Sequence, residues 1–230
     1  MTIVDRLRSL IGRKVSASRV GVRRQTTGER RGDSAHEDGL RAMLSDNPNN
    51  AQAFRDLAEI VRRHATAPHN DEDPLTASLD PTARARQADL AVWALAEEFA
   101  GNPRAWYPLI ELARLSIEHD HDGAIRRLAT AAERDTTGEA LAEGLGILRE
   151  ANLNGEAIGL GIAQWRPLEH TPRAARHLIG AMLDSGRPSD ARRYLEAIKT
   201  HPDAKTVAAV KAEFADKIAQ AETSSRPERH

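Results

Sequence analysis

The feature that most constrains this chain is an apolar spacing that recurs at a nearly fixed interval. Large and small apolar residues stand at relative positions 0, 3, 4 and 7, and the last three such sets begin 35 and then 34 residues apart. A further helix opening on a small residue follows each of them, at Ala124, Ala157 and Ala191. One helix pair of this size cannot bury its apolar side alone, so the period predicts stacked pairs with a continuous core. The sets begin at Phe54, Trp106, Leu141 and Ala175.

Three segments resemble the tetratricopeptide repeat (TPR): AWYPL at 105–109, DGAIRRLATAAERD at 122–135 and GRPSDARRYLEAIKTHPDA at 186–204. The resemblance implies an all-α fold, a right-handed α-solenoid of about four helix-turn-helix repeats with a C-terminal capping helix. The chain departs from the family pattern early in the first helices, where larger residues replace the usual small one. These residues are Ile110, Leu145 and Ile179.

The remaining organisation follows from breaks in periodicity. Residues 1–15 have the apolar spacing of a basic amphipathic helix, and residues 16–35 are rich in Arg, Ser and Gly and are predicted to be a flexible linker. The TPR-like domain is predicted over 36–221, with an acidic loop inserted at 65–82. Residues 222–230 are predicted to be a disordered tail.

Charge is distributed unevenly along the chain. The 33 basic and 34 acidic residues give a net charge of −1, but residues 1–32 carry +7 and the rest −8. The N-terminal helix is predicted to dock on an anionic membrane surface or on a partner protein. Nonspecific contact with RNA, an organellar transit peptide and docking on the chain's own repeats are the alternatives. The docking residues are Ile3, Val4, Leu7, Arg8, Leu10, Ile11, Arg13 and Lys14.

Several function classes are disfavoured by composition and motifs. The chain has no Cys, which excludes disulfides, Cys-ligated zinc and thiol catalysis. It has neither a phosphate-binding loop nor the motifs of serine hydrolases, zinc proteases or dinucleotide-binding enzymes. We therefore expect no enzyme, no cofactor and no small-molecule substrate. His119 and His121, within the acidic turn 118–122, are weak metal-ligand candidates, and a solvated turn is the favoured interpretation.

The first helices carry the candidate binding residues, because TPR-like arrays bind peptides on the concave face that these helices line. Arg forks match carboxylates, so an acidic segment of another protein is the predicted ligand. The alternative is a merely solvated helix surface, partly neutralised by Glu59, Glu111 and Asp184. The predicted partner-binding residues are Arg55, Arg62, Tyr107, Arg114, Arg149 and Arg176.

Together these patterns predict a non-enzymatic adaptor or scaffold for protein–protein interaction. We expect it to be cytoplasmic and peripheral at the membrane, and the 28 Arg against five Lys are typical of a bacterial chain from a high-GC genome. A nucleic-acid or ribosome-associated accessory protein that uses the basic arm is the alternative.

Trp93, Trp106 and Trp165 are interpreted as core residues.

Overall fold

A computed structural model describes residues 27–67 and 80–224 of the chain. Over these ranges the protein is all-α, with ten helices and no strand. The chain divides after Ala35, and the part from His36 onward contains the core and the candidate site. The helices are α1 Thr27–Asp46, α2 Ala51–Thr66, α3 Pro81–Ala100, α4 Tyr107–Ser116, α5 His121–Arg134, α6 Glu139–Glu150, α7 Asn154–Gln164, α8 Pro172–Asp184, α9 Pro188–Ala197 and α10 Ala204–Ser224.

The helix ends follow local sequence chemistry. Asn50, Asp120 and Thr171 each stand before a helix and accept a hydrogen bond from a backbone N–H of its first turn. Four helices have Pro in the first turn, where a missing N–H leaves no hydrogen bond unmade. Three further prolines, Pro48, Pro103 and Pro202, fall between helices.

Helical structure extends beyond the predicted ordered segment at both ends of the described chain. α1 begins at Thr27, inside the predicted linker 16–35, although its apolar period starts only at Leu40. α10 continues to Ser224, into the predicted tail 222–230, because Glu222 accepts a hydrogen bond of 2.7 Å from Arg192 of α9. A helix satisfies its own backbone groups, so it can continue past its apolar stretch without leaving a signal in the periodicity.

Four of the predicted segments fall wholly or partly outside the described residues. The parts outside are the basic helix 1–15, residues 16–26 of the linker, most of the acidic loop 65–82, and the end of the tail, 225–230. The described flanks of the loop are helical, with α2 ending at Thr66 and α3 beginning at Pro81.

Helices pack mainly against their neighbours in the chain. Each helix from α2 to α10 contacts the next one in the chain, and α4, α6, α8 and α10 also contact one another in succession. The core is one connected cluster that runs from Leu40 in α1 to Ile218 in α10. The three Trp residues are only partly buried, but all of them pack against this cluster. The side chains buried most completely include Phe54, Leu128, Leu141, Leu148 and Leu178.

The connections between helix pairs are tied together by polar contacts. Asn49 Oδ1 accepts the N–H groups of Trp106 and Tyr107 at 2.7 and 3.1 Å, at the start of α4. Further along, the Thr171 N–H donates to the carbonyl oxygen of Thr137 at 2.8 Å. These contacts join the start of α4 to the start of α2, and the start of α8 to the start of α6.

Candidate functional site

The six predicted binding residues lie on the helices that begin each pair, α2, α4, α6 and α8. We call these six residues, together with the carboxylates on α6, α8 and α10 that pair with them, the first-helix face. Arg55, Arg114 and Arg176 are exposed, and Arg62 and Arg149 are half-buried. Tyr107 is buried, so it belongs to the packing beneath the face more than to its surface.

Tyr107 links α2 to α4. Its ring meets that of Phe54 edge-on at a centroid distance of 5.6 Å. Burial and, to a smaller extent, the nearby carboxylate of Glu111 raise the pKa of Tyr107 well above its ordinary value. The nearby positive charges of Arg55 and Arg114 act in the opposite direction. The hydroxyl is therefore a neutral donor at physiological pH.

Arg114 has loose ionic partners. Its guanidinium lies 3.7 Å from a carboxylate oxygen of Glu143 and 3.8 Å from one of Glu150, both on α6. These distances exceed those of charge-assisted hydrogen bonds, so Arg114 retains unused donors. A cavity of about 420 Å³ adjoins it, between the ends of α4 and α6.

Arg149 is held firmly between α6 and α8. Its guanidinium donates to Asp184 at 2.9 Å and lies against Gly180, where an added Cβ would fall 2.5 Å from the guanidinium carbon. The same two helices interlock at a second point, because the ring of His177 lies over Gly146. Glycine at both positions lets the side chains of one helix cross the backbone of the other.

His177 is surrounded by positive charge. Burial lowers the pKa of His177 to about 4, and Arg149, Arg176 and Arg173 contribute to the decrease, while the nearby carboxylate of Glu143 opposes them. The imidazole is consequently neutral near pH 7 and packs as a neutral ring.

We expect this burial to make stability fall as the pH is lowered. The unfolded His177 has an ordinary pKa near 6.5 and the folded one about 4, so the unfolded chain binds more protons between these values and gains stability relative to the fold. His177→Gln should reduce the slope of unfolding free energy against pH between pH 7 and 5, measured by urea denaturation. His119→Gln, in an exposed turn, is the matched control. An unchanged slope in His177→Gln would show that the ring is not buried in solution.

At the α8 end of the first-helix face, arginines pair with carboxylates of neighbouring helices. Arg176 donates to both carboxylate oxygens of Glu213 on α10, at 2.6 and 3.0 Å, and this contact lowers the pKa of Glu213. Arg173 pairs with Glu139 and Glu143 of α6. The arginines on this half of the face are therefore already matched by carboxylates on neighbouring helices.

Sequence reasoning missed most of these carboxylates as well as Arg173 and His177. A signal for them exists, because their separations in the chain are close to the predicted period of 34–35 residues. The separations are 34 residues for Glu139 and Arg173, 35 for Arg149 and Asp184, and 37 for Arg176 and Glu213.

The acidic turn 118–122 has a structural use in the fold. Asp120 accepts the Gly123 N–H at 2.9 Å and lies 3.4 Å from the guanidinium of Arg127, and both contacts lower its pKa. Among the described residues no three His or acidic side chains converge as metal ligands, His119 and His121 included.

The docking residues predicted in the N-terminal arm, from Ile3 to Lys14, lie outside the described chain.

No protein-family model, curated protein or solved structure matches this chain. Within residues 27–67 and 80–224, no helix combines the length and apolar character needed to cross a bilayer.

Proposed function

We propose that the helices form a TPR-like solenoid of about four pairs, α2–α3 to α8–α9, capped by α10. The successive contacts of α4, α6, α8 and α10 support this arrangement. Repeating turn geometry supports it too. Asn152 and Gly186 stand 34 residues apart, both with positive φ (61° and 68°). The residue after each donates its N–H to a carbonyl five residues back at 2.8 Å, Leu153 to Leu148 and Arg187 to Met182.

We infer that the protein is a non-enzymatic adaptor that binds an acidic segment of another protein on the first-helix face. The observation that carries this inference is the presence of arginines on all four helices α2, α4, α6 and α8, with no carboxylate of the described chain closer than 3.7 Å to Arg114. Arg62 forms no salt bridge within the described chain and supplies a second open donor. Preformed helices lose little conformational entropy on binding a peptide.

An acidic ligand has to compete with the internal carboxylates. Exposed ion pairs contribute only about 0–1 kcal/mol each, so exchange of Asp184 or Glu213 for a ligand carboxylate has a small net cost. Binding would begin at Arg114 and Arg62 and extend along the face by such exchanges. The proposal includes neither cofactor nor small-molecule substrate. The N-terminal arm is proposed to localise the complex in the cytoplasm, at a membrane surface or on the same partner.

Co-purification tests this function directly. Tagged full-length protein, a version lacking residues 1–26, and the double variant Arg114→Glu/Arg149→Glu are isolated from the native host and their bound proteins identified. We expect one protein to be retained by the first two and lost from the third, because charge reversal repels an acidic segment.

Two further observations make the test decisive. Arg84→Glu reverses an exposed charge on α3, away from the face, and should retain the partner. If all bound material is RNA, is released steeply by salt and disappears with residues 1–26, the protein is a nucleic-acid accessory factor and the adaptor proposal is wrong.

A further inference from the structure

A groove beside α3, α4 and α5 has no role in the proposed adaptor function. A cavity of about 330 Å³ lies between α3 and the end of α4, lined by Arg86, Asp89, Leu90 and Trp93 on one side and by Leu115 and His119 on the other. Leu90 is 55% exposed, a large value for a leucine beside a cavity. Trp93 is half-buried, with part of its ring towards the groove.

Arg127 of α5 lies next to this cavity, against Trp93. Its guanidinium lies 4.9 Å from the centre of the Trp93 ring and donates to Ser116 Oγ at 3.1 Å. Beyond it, a second cavity of about 180 Å³ is lined by Leu109, Arg126, Arg127 and Thr130. The two cavities are therefore neighbours across the contact between Arg127 and Trp93, and we call the two together the groove.

The charges along this groove favour an anionic ligand. Arg86 and Arg126 line it, are exposed, and form no salt bridge within the described chain. The neighbouring carboxylate of Asp120 is already used by the Gly123 N–H and by Arg127. Asp89 is the remaining carboxylate in the described lining, and it opposes an anion at that one point.

We propose that this groove binds an acidic amphipathic helix of a partner protein. Apolar side chains at helical spacing would cover Leu90, Trp93 and Leu115, and flanking carboxylates would pair with Arg86 and Arg126. An exposed leucine and a half-exposed tryptophan are typical anchors of such an interface, because covering them removes apolar surface from water. The groove shares no residue with the first-helix face, so the two surfaces can be occupied together.

A designed peptide of about 16 residues serves as the probe, with leucines at i, i+3 and i+4 spacing and glutamates at the flanks. Fluorescence anisotropy of the labelled peptide is followed during titration with the full-length protein. Leu90→Ser should weaken binding by about tenfold or more, and Arg86→Glu/Arg126→Glu by a similar factor. Asp89→Asn should tighten binding by about two- to threefold, because it removes the opposing charge.

Matched controls establish whether the peptide binds in this groove. Leu90, Arg86 and Arg126 are exposed, so these variants should keep the wild-type circular dichroism and melting temperature. Arg84→Glu, two residues from Arg86 and outside the lining, should change the affinity by less than about twofold. A peptide with lysines in place of the glutamates should not bind.

Several results would overturn the groove proposal. They are the absence of peptide binding, equal binding of the lysine peptide, or an affinity unaffected by Leu90→Ser. Loss of binding in Arg114→Glu/Arg149→Glu, with the groove variants unaffected, would place the peptide on the first-helix face and leave only the adaptor proposal standing. Binding of phosphatidylserine vesicles, sensitive to Leu90→Ser, without peptide binding would assign the groove to a membrane surface instead.

Discussion

Gly138→Ala should lower the free energy of unfolding by about 3 kcal/mol, from about 1–2 kcal/mol of backbone strain and about 1–3 kcal/mol of overpacking. Gly138 stands immediately before α6 with φ of 81°, a conformation that disfavours side chains. An added Cβ would also lie 2.4 Å from Cβ and 3.0 Å from Cα of His170, which is 3% exposed. The backbone itself must therefore move.

The movement would disturb the connection between two helix pairs. His170 precedes Thr171, whose N–H donates to Thr137 at 2.8 Å, and Thr137 precedes Gly138. In the same turn the buried carboxylate of Asp135 accepts the Ala140 N–H at 2.8 Å. Displacing His170 strains these bonds together. Thermal unfolding followed by circular dichroism should show a melting temperature lowered by about 6–12 °C.

Two glycines provide matched controls for the two causes. Gly186 also has a positive φ, of 68°, but has no heavy atom within 4 Å of an added Cβ, so Gly186→Ala should cost only the backbone strain, about 1–2 kcal/mol. Gly155→Ala has neither problem and should be neutral or slightly stabilising. If Gly138→Ala is no more destabilising than Gly186→Ala, the close approach to His170 does not exist in solution.

The helical fold was predictable because apolar periodicity reports which side of each helix is buried. Phe54, Leu141 and Leu148 stand at the positions expected of core residues, and all are buried. The corner around Gly138 was not predictable, since its glycine is required by the approach of His170, more than 30 residues away in the chain. A local pattern carries no information about such a contact.

The positions of the arginines in the candidate site were predictable from the sequence, but their ionic partners were not. Helical spacing places Arg114, Arg149 and Arg176 on the first helices, where they are found. Their partners depend on how helices pack across pairs, and single-helix spacing gives no measure of this. The burial of Tyr107 was missed for the same reason, because it results from the ring of Phe54 on another helix.

The second large effect is expected where α7 and α8 meet. Leu178 of α8 is fully buried, and its Cδ1 would lie 2.6 Å from a Cβ added at Gly161 of α7. Leu178→Ala should cost about 3–5 kcal/mol, from lost apolar burial and the cavity left behind. Gly161→Ala alone should be destabilising, because overpacking by about 1–3 kcal/mol outweighs the gain of about 1 kcal/mol in helix propensity.

In combination the two substitutions should partly compensate. Once Leu178 is shortened, the methyl group of Ala at position 161 enters vacated space, so the double variant should be about 1–3 kcal/mol more stable than the sum of the single effects predicts. Urea denaturation of the four proteins measures this coupling. Gly159→Ala, on the same helix with no heavy atom within 4 Å, should have one effect in both backgrounds. Additive behaviour at Gly161 would mean that α7 and α8 do not meet there, and the proposed continuous core of stacked helices would lose its support at this contact.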